Sequence, residues 1–249
     1  MRAELTQTTA TRLYLIGLLF AVSLREVTNP LFSSIPTIAL LGIEIQHNAQ
    51  LHSLQLLSLL SLAWAAYQPR SALALFSAML SFSLFTAASY SMVYVDGFGY
   101  LPHSENIHFF LLSLLALRNL HPNDSAWLSR AMIFVIGWSY FAAFLTKIRS
   151  VGFDWAWNET LPYYFTTFSF LSDNKALSWL AGQKSLSTAA GLTTLSFELL
   201  ALPALLWKPT RRPTILIAVF FHAAVYSLFG IQFLYSYIPA FLLIWSEDV

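Results

Sequence analysis

The sequence predicts an all-α, polytopic bundle of seven or eight membrane-spanning helices, and three observations carry that prediction. Of 249 residues, 57% are hydrophobic and only 10% are charged, with a mean hydropathy of +0.62, whereas an ordinary soluble domain carries about 25% charged residues. The apolar residues fall into runs close to the roughly 17 to 25 residues that a spanning helix needs, separated by short turns rich in Pro, Gly and charge. Aromatic residues make up 16% of the chain, which suits belts of Trp and Tyr whose rings sit in lipid and whose polar edges reach the headgroups. The expectation is one membrane domain over residues 1–249, in an inner or plasma membrane.

Composition also excludes whole classes of function. A formal net charge of +1 with no basic stripe is wrong for a nucleic-acid partner, which needs a positive surface. With no cysteine, thiolate catalysis, disulfide relays and Cys-ligated metals are impossible. No pair of the six histidines has the i, i+4 spacing with a carboxylate that hydrolytic zinc sites use, so no metal is expected. There is no phosphate-binding glycine loop, no dinucleotide fingerprint and no Gly-x-Ser-x-Gly elbow.

Taken in order, Arg2 and Arg12 precede the apolar run Leu13–Leu24. Because Arg25 and Glu26 follow it in place of a small-residue cleavage site, the run is read as an uncleaved first helix. Residues 27–50, with Pro30, Pro36, Glu44 and His47, suit an interfacial loop, a short re-entrant helix or a mere connector. Apolar runs over about 51–67 and 72–94 are helices 2 and 3, joined by Gln68-Pro69-Arg70. A loop with Gly97, Gly99 and Pro102 leads to helix 4, with Ser104 placed to cap it. That helix ends near Arg118-Asn119, and His121-Pro122-Asn123-Asp124-Ser125 turns the chain into helix 5, which runs to about Lys147. Residues 149–186 are mixed, aromatic and then polar. Helix 6 covers about 187–207, and after Lys208–Pro213 an apolar stretch, 214–245, is too long for one span and carries Gly230, Gln232 and Pro239 as break points.

If the turns alternate across the membrane, Arg2, Arg12, Arg70, Arg118, Arg130, Lys208, Arg211 and Arg212 fall on one side. The positive-inside rule makes that side, and the N-terminus, cytoplasmic. Segments 25–50, 95–105 and 149–186 then face outward. In the last of these, Trp155, Trp157, Tyr163 and Tyr164 are expected to form an interfacial collar.

Ionisable groups near hydrocarbon are costly and are retained mostly where they face a cavity, a protein interior or headgroups. Lys147, at the outward end of helix 5, and His108, in the first turn of helix 4, lie at the same level. Lys147 is either a base, which requires an apolar pocket and no close carboxylate, or a lysine snorkelling to headgroups. Asp154 is expected to turn away from it with Gly152 as the pivot, while Lys147 points into the bundle towards His108 and His222. His222, inside Phe220-Phe221-His222-Ala223-Ala224, needs a hydrogen-bond partner, either as part of a site or as a link between helices. Glu198, inside Ser196-Phe197-Glu198-Leu199, is a candidate for that partner.

Three stretches, in order, carry a resemblance: Asn106-Ile107-His108-Phe109-Phe110-Leu111; Tyr140-Phe141-Ala142-Ala143 through Lys147-Ile148 to Asp154-Trp155; and Phe221-His222 through Ser227-Leu228-Phe229-Gly230-Ile231. Together they resemble the membrane domain of the vitamin K-dependent γ-carboxylase and its bacterial relatives, the HTTM (horizontally transferred transmembrane) family, over most of residues 90–245. The resemblance implies a carboxylase/epoxidase-like lyase with Lys147 as the base that deprotonates vitamin K hydroquinone or a related quinone, assisted by His108 and His222. Tyr140, Trp155 and Phe229 are then candidates to line the quinone. The implied partners are membrane lipid, the quinone, and a peptide or protein substrate supplied by another protein. Thr146 stands where the carboxylase has a second lysine, the Lys147–Asp154 spacer is longer than the family's, and the large lumenal region that recognises a propeptide has no counterpart. The substrate expected is therefore a peptide or lipid taken without a propeptide. A non-catalytic membrane module, an assembly partner or chaperone with structural Lys and His, is the alternative.

Overall fold

The computed structural model describes residues 2–24, 38–40, 43–45, 48–91, 103–172, 175–229, 233–245 and 247. Among these the chain is helical apart from one short antiparallel strand pair, β1 (Ile38–Leu40) with β2 (Ile43–Ile45), in which Ile38 is opposite Ile45. That pair lies where the sequence allowed a short re-entrant helix; the rest of 25–37, and the glycine-bearing loop at 92–102, fall outside the described residues. Three segments are long and apolar enough to cross a membrane: Pro122–Val151, Lys184–Leu206 and Lys208–Phe229. Shorter apolar helical stretches lie at Leu51–Tyr67, Ala72–Ala87 and Asn106–Leu120.

The chain divides into two compact units. The first comprises residues 1–132 and 235–249. It contains α1 (Arg2–Ser23), α2 (Asn48–Tyr67), α3 (Ala72–Ser91), α4 (His103–Leu120), the first residues of α5 (Ser125–Val151), and nearly all of α11 (Leu234–Trp245). α1 begins well before its apolar run, and α4 starts one residue ahead of the Ser104 expected to cap it. The turn at Pro122–Asp124 is a single turn of 3-10 helix that runs straight into α5, with Pro122 at a position where its missing N–H costs nothing. Consecutive helices pack on one another around Tyr14, Leu15, Leu18, Leu62, Leu75, Phe85, Leu111 and Met132, all buried. α1 and α11 approach so closely that a Cβ on Gly17 would lie 2.8 Å from Pro239 Cγ.

One end of this unit is tied by a polar knot. Arg118, at the end of α4, donates to Glu247 Oε1 at 2.7 Å, Ser129 Oγ at 3.3 Å and Thr11 Oγ1 at 3.3 Å. Beside it, Asn119 donates to the carbonyl of Pro69 in the α2–α3 turn at 3.0 Å.

The second unit, residues 133–234, holds the rest of α5, then α6 (Asp154–Trp157), α7 (Thr160–Ser172), α8 (Lys175–Ala181), α9 (Lys184–Leu206) and α10 (Lys208–Phe229). The segment read from sequence as mixed is thus three short helices. α5 stops at Gly152, whose φ of +68° is the left-handed conformation that ends helices and favours glycine; its N–H donates to Ile148 O at 2.8 Å. α6 then settles on α9 where Gly191 leaves room, since a Cβ there would be 2.8 Å from Ala156 Cα. Small residues permit such close approach of backbones. Gly137 serves α5 against α9 in the same way, with Leu202 Cα 2.9 Å from where its Cβ would be. The long terminal run is broken, α10 ending at Phe229 and α11 starting at Leu234, but Pro239, expected as a further break point, lies inside α11.

α9 and α10 form a helical hairpin through one extended residue, Trp207. The last carbonyls of α9, which have no partner within the helix, are taken by its neighbours. Thr210 Oγ1 donates to Ala204 O at 2.6 Å, and Arg211 Nε donates to Leu205 O at 2.9 Å. Arg211, which the sequence placed among charges marking the cytoplasmic side, is accordingly buried.

Candidate functional site

The inward stripe of α9 is Ser187, Gly191, Leu195, Glu198, Ala201 and Leu205, a spacing of three and four that keeps one face of a helix towards its neighbours. Glu198 sits in the middle of that stripe and is 5% exposed. On α5 the corresponding stripe runs Ile133, Ile136, Tyr140, Phe144, and Lys147 continues it. The stripes meet at an ion pair, with Lys147 Nζ 2.6 Å from Glu198 Oε1. Trp155 covers the same ammonium, its ring centroid 5.1 Å from Nζ. α6 carries it there because the next residue, Ala156, is the one seated on Gly191.

This geometry corrects two expectations. Lys147 does have a close carboxylate, and it is Glu198; among the described residues Lys147 forms no ion pair with Asp154, which opens α6 beyond the Gly152 turn. Trp155, one of the four residues expected in the interfacial collar, is buried. It packs in a buried cluster with Phe144, Ala156, Leu161, Phe165, Leu177 and Leu195, whereas Trp157, Tyr163 and Tyr164 are exposed.

Glu198 is also not the partner of His222. The Tyr140 hydroxyl and His222 Nε2 share a hydrogen bond of 2.7 Å, and Phe197 and Phe221 enclose the pair, Phe197 meeting Tyr140 edge-on at 5.1 Å and Phe221 meeting His222 edge-on at 5.3 Å. Tyr140 and Lys147 are seven residues apart on α5. Two helical turns put them on the same face, about 10 Å apart along the axis. One seam of the second unit therefore carries two polar pairs, Tyr140–His222 and Lys147–Glu198.

Glu198 Oε1 is satisfied by Lys147, while Oε2 is buried without a hydrogen-bond partner. A buried carboxylate oxygen left without a donor is costly. The Lys147 side chain retains 23% of its exposure against 7% for Glu198, so the pair is reached from the lysine side.

The remaining candidates have other surroundings. Phe229 stacks on Phe165 with centroids 5.6 Å apart and meets Phe168 edge-on at 5.2 Å, which fastens α7 to the end of α10. His108 belongs to the first unit, where it is buried, lies 3.3 Å from the Tyr14 hydroxyl through Nδ1, and meets Phe82 edge-on at 5.6 Å. The described residues include no group of three His, Asp or Glu side chains able to hold a metal ion. No known protein family, no curated protein and no solved structure matches this chain.

Proposed function

We propose that this chain is a multi-pass membrane enzyme, similar to the membrane domain of the vitamin K-dependent γ-carboxylase and the HTTM family, that modifies a peptide or lipid at the outer face with Lys147 at its reacting centre. The observation that carries the reading is the Lys147–Glu198 pair inside two helices of membrane-spanning length. Charge in such a position is costly and marks function by default. In this reading Lys147 acts as the base once it has passed its proton to the Glu198 carboxylate, 2.6 Å away. His222, oriented by Tyr140, lies two turns away along the same seam, and His108 is the further histidine that the resemblance points to. The group that the resemblance implies, an isoprenoid hydroquinone, suits the Trp155 ring and the basic pair; when bound it supplies an acidic hydroxyl and reducing equivalents for reaction with oxygen. Trp155 lies over the ammonium, its ring centroid 5.1 Å from Nζ.

Lys147→Arg tests the reading. Guanidinium keeps the charge and the partnership with Glu198 but does not deprotonate in proteins. The variant should insert and melt like the wild type yet fail to restore function to cells lacking the chain. A fully functional Lys147→Arg protein would favour the second reading, a non-catalytic assembly module. What supports that second reading is that the pair links α5 to α9 and so has a structural use of its own.

The proposed topology has seven or eight spans, a cytoplasmic N-terminus and an outward 149–186 segment, following the distribution of Lys and Arg. In this cysteine-free chain, Ser172→Cys should react with an impermeant maleimide added outside intact cells, and Thr210→Cys should not. The opposite pattern would place the Lys147 end of the bundle on the cytoplasmic side.

A further inference from the structure

We infer that the exposed tip of the α9–α10 hairpin binds an anionic phospholipid, with Lys208 and Arg212 on the phosphate and Trp207 as the anchor beside them. The inference is independent of the reaction proposed above and needs only that the hairpin spans the bilayer. α9 and α10 have 23 and 22 residues, and both are long and apolar enough to cross a membrane. Helices of that size are about 33 Å long, a little more than the roughly 30 Å of hydrocarbon in a bilayer. Trp207, the single residue that joins them, is therefore set at the level of the headgroups, and it is exposed there. Interfaces select such rings. The cations Lys208, Arg211 and Arg212 follow at once, and no Asp or Glu occurs in the sequence between Glu198 and Glu247. The helix dipole opposes cations at this end of α10, so helix stability does not account for them. Arg211 is buried and holds the turn through Leu205 O, with Thr210 on Ala204 O. Lys208 and Arg212 are both exposed and four residues apart, which puts them on one helical face with Cβ atoms about 6 Å apart. A phosphate between them meets an ammonium as a point charge and a guanidinium as a planar fork of donors. The same row continues, at steps of four, into Leu216 and Phe220, which are also exposed. Two cations heading an apolar row match a molecule with a phosphate head and an acyl tail, and a free phosphate would leave the apolar part unused. A choline headgroup fits less well, because its own positive charge faces the two cations.

The experiment uses the full chain in phosphatidylcholine nanodiscs doped with either phosphatidylglycerol or phosphatidylcholine brominated near the top of the acyl chains. Bromine quenches Trp fluorescence on contact, and the difference between the wild type and Trp207→Phe isolates the Trp207 signal among the eight Trp of the chain. Each basic residue near the surface adds about fivefold to the affinity for an anionic lipid. Brominated phosphatidylglycerol should therefore half-quench Trp207 at a mole fraction at least about tenfold lower than brominated phosphatidylcholine. In Lys208→Gln with Arg212→Gln the two lipids should quench alike. Arg149→Gln with Lys175→Gln removes the same charge from exposed positions elsewhere in the unit and should keep the preference. Equal quenching of the wild type by the two lipids overturns the inference, as does a preference that survives Lys208→Gln with Arg212→Gln or is lost equally in the control pair. Relief of the quenching by inorganic phosphate at constant ionic strength overturns it too, since the site would then take free phosphate. The comparison of lipids on the wild type stands even if the double variant folds poorly.

Discussion

Glu247→Ala should destabilise the first unit by about 3 to 5 kcal/mol, the penalty for stranding one member of a buried ion pair. The side chain of Glu247 is fully buried and that of Arg118 is 9% exposed, with 2.7 Å between them. Removing the carboxylate leaves a guanidinium that cannot shed its charge among Thr11, Ser129 and the helix ends. The knot joins α1, α4, the start of α5 and the segment after α11, so the loss is felt by four parts of the unit at once. The control is the apolar pair Arg118→Met with Glu247→Met, which should recover most of the deficit because both desolvation costs disappear together. Denaturant unfolding in detergent micelles measures both. A Glu247→Ala midpoint equal to the wild type would mean that the pair contributes nothing.

The second large effect is expected at the seam of the second unit. Lys147→Met leaves Glu198 inside the α9 stripe with neither oxygen paired, at a cost of about 3 kcal/mol. Glu198→Gln alone leaves the ammonium with a neutral acceptor and half-open to its surroundings, which is milder. If the pair is a coupled unit, adding Glu198→Gln to Lys147→Met should return about 1 to 3 kcal/mol relative to the sum of the single effects. Thermal melting of the four proteins in one lipid closes the cycle. Additive effects within about 0.3 kcal/mol would show that the contact at 2.6 Å carries no stabilisation.

The helical character and the main punctuation of the chain were legible in the sequence. Pro69 and His121-Pro122 mark turns, and the break between Phe229 and Leu234 falls among Gly230 and Gln232, whereas Lys208–Pro213, expected as a turn, opens α10 and the turn itself is Trp207 alone. Those residues act locally, through φ restriction and missing donors, so their effect is visible from neighbours alone. The partners of the polar residues were not legible. Glu198 and His222 each needed a hydrogen-bonding group, but nothing in their own helices distinguishes Lys147 from Tyr140 as the one supplied. The one signal in the sequence is that Tyr140, Phe144 and Lys147 share one helical face, so a carboxylate meeting that face meets the lysine. The inward turn of Trp155 lay beyond reach for a different reason. α6 is four residues long, too short to show a period, and the direction of its side chains is set by Gly191 on a helix thirty-odd residues away. Arg118 was read as a marker of orientation, and only packing reveals it as half of a buried pair.

The Arg118–Glu247 knot also bears on the order in which the protein is made. Its two members are 129 residues apart, and all of residues 133–234 emerge from the ribosome between them. The bonds that close the α9–α10 turn span six residues and can form as soon as the hairpin is synthesised, because short loops close at little entropic cost. The first unit, although begun first, is therefore finished last. Until the final segment arrives, Arg118 lacks the carboxylate with which it pairs in the finished unit.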